Sequence, residues 1–379
     1  MSTLYTLSKL DHAKVYILYV GGTIGMEYEK KTGLVPVKGL LTKLVDDMKI
    51  THSLNIDYKI ERTDPLIDSS NLKVDNWYAV LKKLFLNYSK YDTFVIIHGT
   101  DTLAYTSSAL SFFLRLWEKP VIITGSQIPL YEFRTDGKDN IINSIIVSLY
   151  KIPDVLVVFG NRIMRGNLIR KVNSISFNAY SSPNYRDVGL LNVNINLDDD
   201  LIMGHIVPEF SSKLNDNWNL EDWNFKTINI YQFMLLPIHN GKLLETLIDQ
   251  GPEAIILRTY GIGNAPTGDK DFMKQLKRAN KKKIIVVNCS QCLQGGVNMA
   301  YYKTGQDLLD LGVVSGYDMT PETIFGKLFF LFQVVGLDKS KREDIKYLLG
   351  KNLAGELPNT NINKNRKSIK AYFKTYQEL

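Results

Sequence analysis

Two short loops combine glycine with hydroxyl side chains, and each directly follows an apolar, β-branched run. The loops are residues 20–25 (VGGTIG) and residues 98–102 (HGTDT). Glycines let the chain turn sharply and bring a ligand close to backbone N–H groups. The dinucleotide fingerprint G-x-G-x-x-G is absent because Gly21 and Gly22 are adjacent. A threonine between such glycines, Thr23, is therefore predicted to be exposed enough to attack an electrophile.

A threonine hydroxyl is a poor nucleophile unless a base activates it and a third group holds that base. Thr100 and Asp101 in the second loop are candidates for these roles, and a lysine could also serve, although Lys171, taken singly, is one lysine among many. A lysine acts as a base only when it is unprotonated, and a nearby carboxylate favours its protonated form, so the sequence leaves the outcome open. His98 offers an alternative Thr-His-Asp triad. Capping of the following helix is an equally open interpretation of residues 100–102.

Apolar runs alternate with helical patterns along the chain, which is typical of strands joined by crossover helices in an α/β fold. One predicted helix follows Asp101, a second begins after Asp136 as N-cap, and a third begins at Pro321 with Thr320 as N-cap and extends through about Val335. Since loops at the carboxyl ends of parallel strands share one edge of a sheet, the two threonine loops are expected to lie together. The predicted strands are residues 15–20, 93–98, 120–124, 155–159, 254–257 and 284–287.

The length of 379 residues predicts two domains. We expect an N-terminal domain over residues 1–210 that carries the threonine loops, and a C-terminal domain over residues 229–358. The regular alternation weakens in between, so a linker is predicted at residues 211–228. Residues 359–379 form a basic tail.

Composition narrows the class of protein. No run approaches the roughly 20 apolar residues of a membrane-spanning helix, and the first apolar run is too short for a signal peptide, so we expect a cytoplasmic protein without a membrane partner. Cys289 and Cys292 are too few for a structural zinc site, and burial is preferred over a redox role. The net charge of +7 is scattered, which does not favour a nucleic-acid partner. No cofactor or metal is predicted.

Taken together, the motifs resemble the bacterial-type L-asparaginases, particularly the cytoplasmic type I branch. Their order and spacing match over roughly residues 15 to 358. The segments that carry the resemblance are residues 19–26 (YVGGTIGM), 65–70 (PLIDSS), 98–106 (HGTDTLAYT), 124–130 (TGSQIPL), 165–167 (RGN), 257–266 (LRTYGIGNAP) and 288–292 (NCSQC).

The resemblance implies an N-terminal flavodoxin-like domain with a mixed, mostly parallel sheet, and a smaller C-terminal parallel α/β domain. It implies hydrolysis of L-asparagine to L-aspartate and ammonia, without a cofactor. It also implies a homodimer or a dimer of dimers, because active sites in this family are completed between two subunits.

Roles are implied residue by residue. Thr23 resembles the nucleophile, and Thr100, Lys171 and Asp101 resemble the second catalytic group. The matching substrate-binding positions are Gly22 in the glycine loop, Asp68, Ser69, Ser70 and Asp101 for the α-amino and α-carboxylate groups, Ser126 against the amide, and Asn264 from the neighbouring subunit.

The chain departs from the family pattern at two places. Leu34 stands where members usually place a tyrosine on the loop after the nucleophile, so Tyr28 is a candidate substitute. Arg258 and Cys292 match an asparagine-responsive allosteric site of some type I enzymes. Arg170, however, replaces the threonine that usually precedes the lysine.

Three other functions remain as alternatives. The ammonia-supplying subunit of a tRNA-dependent amidotransferase shares this fold, but a first strand near Val15 is expected to leave no room for its extra N-terminal domain. A glutamine-preferring hydrolase differs by only one methylene in the pocket. A catalytically silent amino-acid sensor is disfavoured because Thr23, Thr100, Asp101 and Lys171 are all present.

Overall fold

The computed structural model describes residues 9–31, 33–37, 39–203 and 225–357. The chain divides into two compact units, residues 1–225 and 226–379. Most of the predicted linker and all of the predicted basic tail lie outside the described residues, so the domain boundaries at 210, 228 and 358 stay predictions.

The first unit is built largely from β-strands and crossover helices. Its helices are α1 (Leu40–Asp47), α2 (Ile50–Ser53), α3 (Val74–Asn87), α4 (Leu103–Phe113), α5 (Gly137–Ser148) and α6 (Asp199–Met203). Its strands are β1 (Ala13–Tyr19), β2 (Met26–Glu29), β3 (Gly33–Pro36), β4 (Ile56–Arg62), β5 (Thr93–Ile97), β6 (Val121–Thr124), β7 (Val155–Phe159), β8 (Arg162–Arg165), β9 (Arg170–Lys171), β10 (Tyr180–Ser181), β11 (Gly189–Leu191) and β12 (Ile195–Leu197).

Within the described residues, eight of these strands form one mixed sheet in the order β12-β11-β8-β7-β6-β5-β1-β4. Strands β4, β1, β5, β6 and β7 are parallel, whereas β8, β11 and β12 add antiparallel pairs at one side. The central strands are buried along their length, as a sheet covered on both faces requires. The four strands predicted from apolar runs in this unit are confirmed, with ends that differ by one or two residues.

Two helices of the first unit begin where the sequence predicts. Helix α4 begins just after the second threonine loop and ends at Phe113. Helix α5 follows Asp136, but this side chain makes no capping hydrogen bond. Its carboxylate instead accepts hydrogen bonds from the backbone N–H groups of Gln127 (3.0 Å) and Ile128 (3.1 Å), because the loop after β6 folds back onto the start of α5.

The second unit contains a smaller, wholly parallel sheet. In the described residues its strands are β13 (Ile230–Met234), β14 (Ala254–Thr259), β15 (Ile285–Ser290) and β16 (Val314–Ser315), in the order β13-β14-β15-β16. Its helices are α7 (Gly241–Asp249), α8 (Lys270–Lys281), α9 (Lys303–Asp310), α10 (Pro321–Val335) and α11 (Arg342–Leu349).

The sequence predictions for this unit are also confirmed. Both predicted strands are present as β14 and β15, and both continue two or three residues further than the apolar runs. Helix α10 begins at Pro321, and the Thr320 hydroxyl accepts a hydrogen bond from the N–H of Thr323 at 3.1 Å, as an N-cap does. The architecture is therefore α/β, with a mixed, mostly parallel sheet and a smaller parallel one. In the described part of the chain, no helix is both long and apolar enough to cross a membrane.

Candidate active site

The two threonine loops lie against each other at the carboxyl ends of two neighbouring strands. Strands β1 and β5 are parallel partners, so their following loops leave the sheet side by side. Gly22 has φ +96°, and a Cβ atom there would lie 2.3 Å from the Cα of Gly99. Only glycine permits this approach, which brings the loop of Thr23 into contact with the loop of Thr100.

A third loop, residues 65–70 after β4, packs on both of them. A Cβ atom on Gly21 would lie 2.1 Å from the carbonyl oxygen of Ile67, and one on Gly99 would lie 2.5 Å from the Ser69 Oγ. The Ser69 carbonyl accepts a hydrogen bond from the Thr102 hydroxyl at 2.8 Å. Residues predicted to bind substrate and residues predicted to act on it are thus held together by direct contacts between their loops.

Lys171 contacts two polar side chains of the second loop. Its Nζ donates to Thr100 Oγ1 at 2.8 Å and to Asp101 Oδ1 at 2.8 Å. The lysine side chain is 20% exposed and the Asp101 side chain 62% exposed, while Thr100 is buried. The three residues form a connected hydroxyl, ammonium and carboxylate group that opens to solvent on the aspartate side.

Thr23 begins a 3₁₀ turn, Thr23–Gly25, and is half-buried. The carbonyl of the next residue, Ile24, accepts a hydrogen bond from the N–H of Leu130 at 2.9 Å, which attaches the turn to the loop after β6. Asp68 is exposed, and its carboxylate accepts hydrogen bonds from the N–H (3.1 Å) and the Oγ (2.7 Å) of Ser70. Asp68 therefore provides an anionic, solvent-facing group beside these loops.

The loop after β6 contains Ser126, which was predicted as a site residue, and Gln127, which was not. Ser126 is buried, and its hydroxyl donates to the carbonyl of Ile128 at 2.6 Å. Gln127 Oε1 lies 3.5 Å from the donating Thr100 Oγ1, and its Nε2 donates to the carbonyls of Ser174 (3.2 Å) and Ser176 (3.0 Å). Gln127 thus bridges the Thr100 loop and the segment after Lys171. Its only sequence signal was membership of the TGSQIPL motif.

His98 is buried beside these loops, and both ring nitrogens have partners. Nδ1 lies 2.7 Å from the Gly99 carbonyl, and Nε2 lies 3.0 Å from Thr106 Oγ1. The Trp77 indole can only donate, and it does so to Thr106 Oγ1 at 2.9 Å. The Thr106 hydroxyl can therefore donate to Nε2, which assigns the proton of neutral His98 to Nδ1. The geometry favours a histidine that holds the Gly99 carbonyl over one that acts as a base.

Burial lowers the pKa of His98 from 6.5 to about 4, although its bond to the Gly99 carbonyl opposes the shift. Between pH 6.5 and 4 the unfolded chain therefore binds a proton that the folded chain does not, so stability falls as pH is lowered through this range. From pH 7 to 4.5 we expect this residue alone to lower the free energy of unfolding by about 2 kcal/mol. Urea denaturation of the wild type and His98→Gln at both pH values will measure the difference.

A matched control is His239→Gln, since His239 is exposed. This variant should show the pH dependence of the wild type, whereas His98→Gln should show a flatter one. Equal pH dependence of the wild type and His98→Gln would contradict the assignment of His98 as a neutral buried residue.

Tyr28 does not belong to the three loops that contact one another at the sheet edge. It is 62% exposed on the β2–β3 hairpin, and its backbone N–H donates to the Tyr131 hydroxyl at 3.0 Å. Its backbone partner on β3 is Leu34. The position where the family usually has a tyrosine and the position of the candidate substitute are thus directly opposite each other on one hairpin.

The remaining candidate residues lie in the second unit. Asn264 closes the turn after β14, where its Oδ1 accepts from the Thr304 hydroxyl at 2.8 Å. Arg258 is buried and its Nε donates to the Ser290 carbonyl at 3.0 Å, while the N–H of Cys292 donates to Ser290 Oγ at 3.0 Å. Ser290 therefore joins the two candidate allosteric residues.

The two cysteines lie in different environments. Cys289 is buried within β15, as expected, but the expectation of burial is wrong for Cys292, which is exposed. The physical reason is that β15 ends at Ser290, so Cys292 belongs to the loop that follows the sheet.

Comparison with known proteins agrees with this architecture. Residues 14–203 match the family domain "Asparaginase, N-terminal" and residues 229–345 match "Glutaminase/Asparaginase C-terminal domain". The chain is therefore a member of the asparaginase family of amidohydrolases.

Individual relatives cover nearly the whole chain. L-asparaginase 1 of Escherichia coli strain K12 is 37% identical over 361 residues, which is 92% of this chain and 99% of the relative. The crystal structure of L-asparaginase I from Vibrio cholerae is similar with a TM-score of 0.80 and 37% identity, over 92% of this chain and 100% of the other. A glutamyl-tRNA(Gln) amidotransferase subunit of Methanobrevibacter smithii is 32% identical, and the match covers 95% of this chain and 78% of the relative.

Proposed function

We propose that this protein hydrolyses L-asparagine to L-aspartate and ammonia. The observation that carries the proposal is the contact between Gly22 and Gly99, which joins the Thr23 loop to the group formed by Thr100, Asp101 and Lys171. Two hydroxyls with a lysine and a carboxylate suit acyl transfer through a covalent ester. The similarity to L-asparaginases along nearly the entire chain supports the choice of substrate.

In this mechanism Thr23 is the nucleophile. Its Oγ attacks the carbon of the side-chain amide, and backbone N–H donors of the glycine loops, Gly22 among them, stabilise the oxyanion that forms. The hydroxyl proton of Thr23 passes to the amide nitrogen as the C–N bond breaks, so the nitrogen leaves as ammonia. The aspartyl group is then joined to Thr23 as an ester.

The second catalytic group completes the cycle. When Lys171 is unprotonated, its Nζ accepts the proton of the Thr100 hydroxyl, 2.8 Å away, and Thr100 in turn takes a proton from the attacking water. Asp101 orients Lys171 through its 2.8 Å contact. As the C–O bond of the ester breaks, the proton held by Lys171 returns through the Thr100 hydroxyl to the Thr23 oxygen, which releases L-aspartate and restores the Thr23 hydroxyl.

Substrate binding follows from charge. The α-ammonium group of asparagine requires anionic partners, and Asp68 and Asp101 are exposed carboxylates beside the loops. The α-carboxylate requires donors, a role we assign to Ser69 and Ser70. The Ser126 hydroxyl donates to the Ile128 carbonyl, and this bond fixes the position of the side chain. We therefore assign Ser126 to packing against the side-chain amide of the substrate.

We further propose three features from the family resemblance. The protein is a cytoplasmic homodimer or dimer of dimers in which Asn264 of a neighbouring subunit completes each site. Tyr28 serves in place of the loop tyrosine, since it is the backbone partner of Leu34 on the same hairpin.

Arg258 and Cys292 form an effector site for asparagine, and a sigmoidal dependence of rate on asparagine concentration would support it. Nucleic acids and membranes are not partners.

Purified protein will release ammonia from L-asparagine, with kcat/KM at least about tenfold above that for L-glutamine, because one methylene in a fitted pocket is worth ~1–3 kcal/mol. Ammonium release from both amides at several concentrations will measure the ratio. D-asparagine is the control, since its α-substituents are exchanged. A kcat/KM that is higher for glutamine would contradict the proposed substrate.

The similarity to a glutamyl-tRNA(Gln) amidotransferase subunit makes ammonia supply to a tRNA-bound amino acid the second candidate function. Assays in the presence and absence of glutamyl-tRNA(Gln) distinguish the two. We expect no tRNA-dependent increase in asparagine hydrolysis. Binding of asparagine without any turnover would instead indicate an amino-acid sensor.

A further inference from the structure

We infer that Tyr180 is a positioning residue for this reaction. Its hydroxyl holds the peptide unit between Thr100 and Asp101, the two residues whose side chains Lys171 contacts. The inference rests on the proposed function for its catalytic meaning. Neither the sequence motifs nor the catalytic steps above include this residue.

Tyr180 and Lys171 lie directly opposite each other on a short hairpin. The backbone of Tyr180 in β10 pairs with that of Lys171 in β9. Tyr180 is 1% exposed, and its hydroxyl donates to the carbonyl oxygen of Thr100. One hairpin therefore delivers the lysine to the Thr100 side chain and the phenol to the Thr100 main chain.

The peptide unit between Thr100 and Asp101 is held at both polar atoms. Its carbonyl accepts from Tyr180, and its N–H donates to Ser69 Oγ at 3.3 Å. On either side of this unit are the atoms that Lys171 Nζ contacts, Thr100 Oγ1 and Asp101 Oδ1, each at 2.8 Å. Rotation of the peptide would move both contacts together, so the donor that holds its carbonyl controls the geometry of the whole group.

Tyr180 is itself fixed in place. Its ring packs edge-on against Phe159 with centroids 5.0 Å apart, and its carbonyl accepts from Arg162 Nη1 at 3.1 Å. Arg162 also forms a two-pronged ion pair with Asp187, at 2.6 and 3.0 Å. Burial, together with the charge of Asp101, raises the pKa of Tyr180 well above its ordinary value, so the phenol remains a donor.

Tyr180→Phe tests the inference, since it retains the ring on Phe159 and removes only the donor. Tyr16→Phe is the matched control: Tyr16 is also fully buried on the first unit, and its hydroxyl donates to Glu61 at 2.8 Å. We expect Tyr180→Phe to lower kcat for L-asparagine at least about tenfold and to raise KM by a smaller factor, since Asp101 and Ser69 also bind the substrate in the proposed site. Tyr16→Phe should keep the wild-type kcat.

Hydrogen exchange gives a readout that does not require turnover. The amide of Asp101, whose N–H bond to Ser69 depends on the same peptide orientation, should exchange several times faster in Tyr180→Phe than in the wild type or in Tyr16→Phe. The inference would be overturned if Tyr180→Phe kept both the wild-type kcat and the wild-type protection of Asp101, or if both variants lost activity equally. A change in KM alone would also overturn it.

The two proposals can fail separately. If the wild type released no ammonia from L-asparagine, the proposed function would be wrong, and the exchange of Asp101 would still decide whether Tyr180 holds this peptide. If the wild type hydrolysed L-asparagine and Tyr180→Phe matched it in kcat and exchange, only the inference about Tyr180 would be wrong.

Discussion

Thr23→Ala will lower kcat for L-asparagine by roughly four orders of magnitude, because in the proposed mechanism it removes the atom that forms the ester. Thr23 is half-buried at the start of a 3₁₀ turn. The N-cap of this turn is Gly22, so the turn does not depend on a side-chain cap and the fold should be unaffected. Steady-state ammonium release will give kcat, and circular dichroism with thermal unfolding will report the fold. Binding of L-aspartate, measured by calorimetry, should persist.

The conservative change Thr23→Ser provides the rescue control, since it keeps a hydroxyl at the same position. We expect it to retain a measurable part of the wild-type kcat, whereas Thr23→Ala retains none above background. A Thr23→Ala enzyme with half of the wild-type turnover would contradict the assignment of Thr23 as nucleophile. Thr100 would then be the next hydroxyl to test for ester formation.

The parts of the fold that could be predicted are those that local physics determines. Buried parallel strands must be apolar along their length, so β5, β7 and β15 are visible as runs of β-branched and aromatic residues. The start of α10 is equally local, because the Thr320 hydroxyl meets an N–H only three residues away. Loops that follow such strands are then located by the strands themselves.

The parts that could not be predicted depend on contacts between distant residues. Strands β9 and β10 contain two residues each, too few for any periodicity, yet their pairing joins Lys171 to Tyr180. Asp136 has the sequence signature of an N-cap, but a loop nine residues earlier offers it two N–H groups. In both cases a long-range partner decides the role of the side chain, and the local sequence is compatible with either outcome.

The proposed catalytic residues show the same division. Gly22, Thr23 and Thr100 were found because glycine next to a hydroxyl is an unusual local pattern. Lys171 had no such signal and entered through family resemblance. Its 2.8 Å contact with Thr100 is formed across 71 residues of chain.

Thr100→Val will lower the steady-state kcat by roughly three orders of magnitude, because the variant lacks the hydroxyl that passes a proton from water to Lys171. Valine has nearly the same shape, so it should fit this buried position. If Thr100 acts on the water step, Thr23 can still form its ester, and the variant should release about one equivalent of ammonia per site and then stop. Rapid mixing with ammonium detection and mass spectrometry of the Thr23 peptide will measure the burst and the ester.

Thr93→Val is the matched control. Thr93 is buried at the start of β5, whereas Thr100 lies in the loop after the end of that strand. The Thr93 hydroxyl shares a hydrogen bond with the Ser148 hydroxyl at 3.1 Å. This variant should lose some stability and keep the wild-type kcat. Because Thr100 and Lys171 act as one unit, Lys171→Met added to Thr100→Val should lower kcat little further. Full additivity of the two losses would mean that the 2.8 Å contact between them is not the path of the proton, and a Thr100→Val enzyme with half of the wild-type turnover would remove Thr100 from the mechanism altogether.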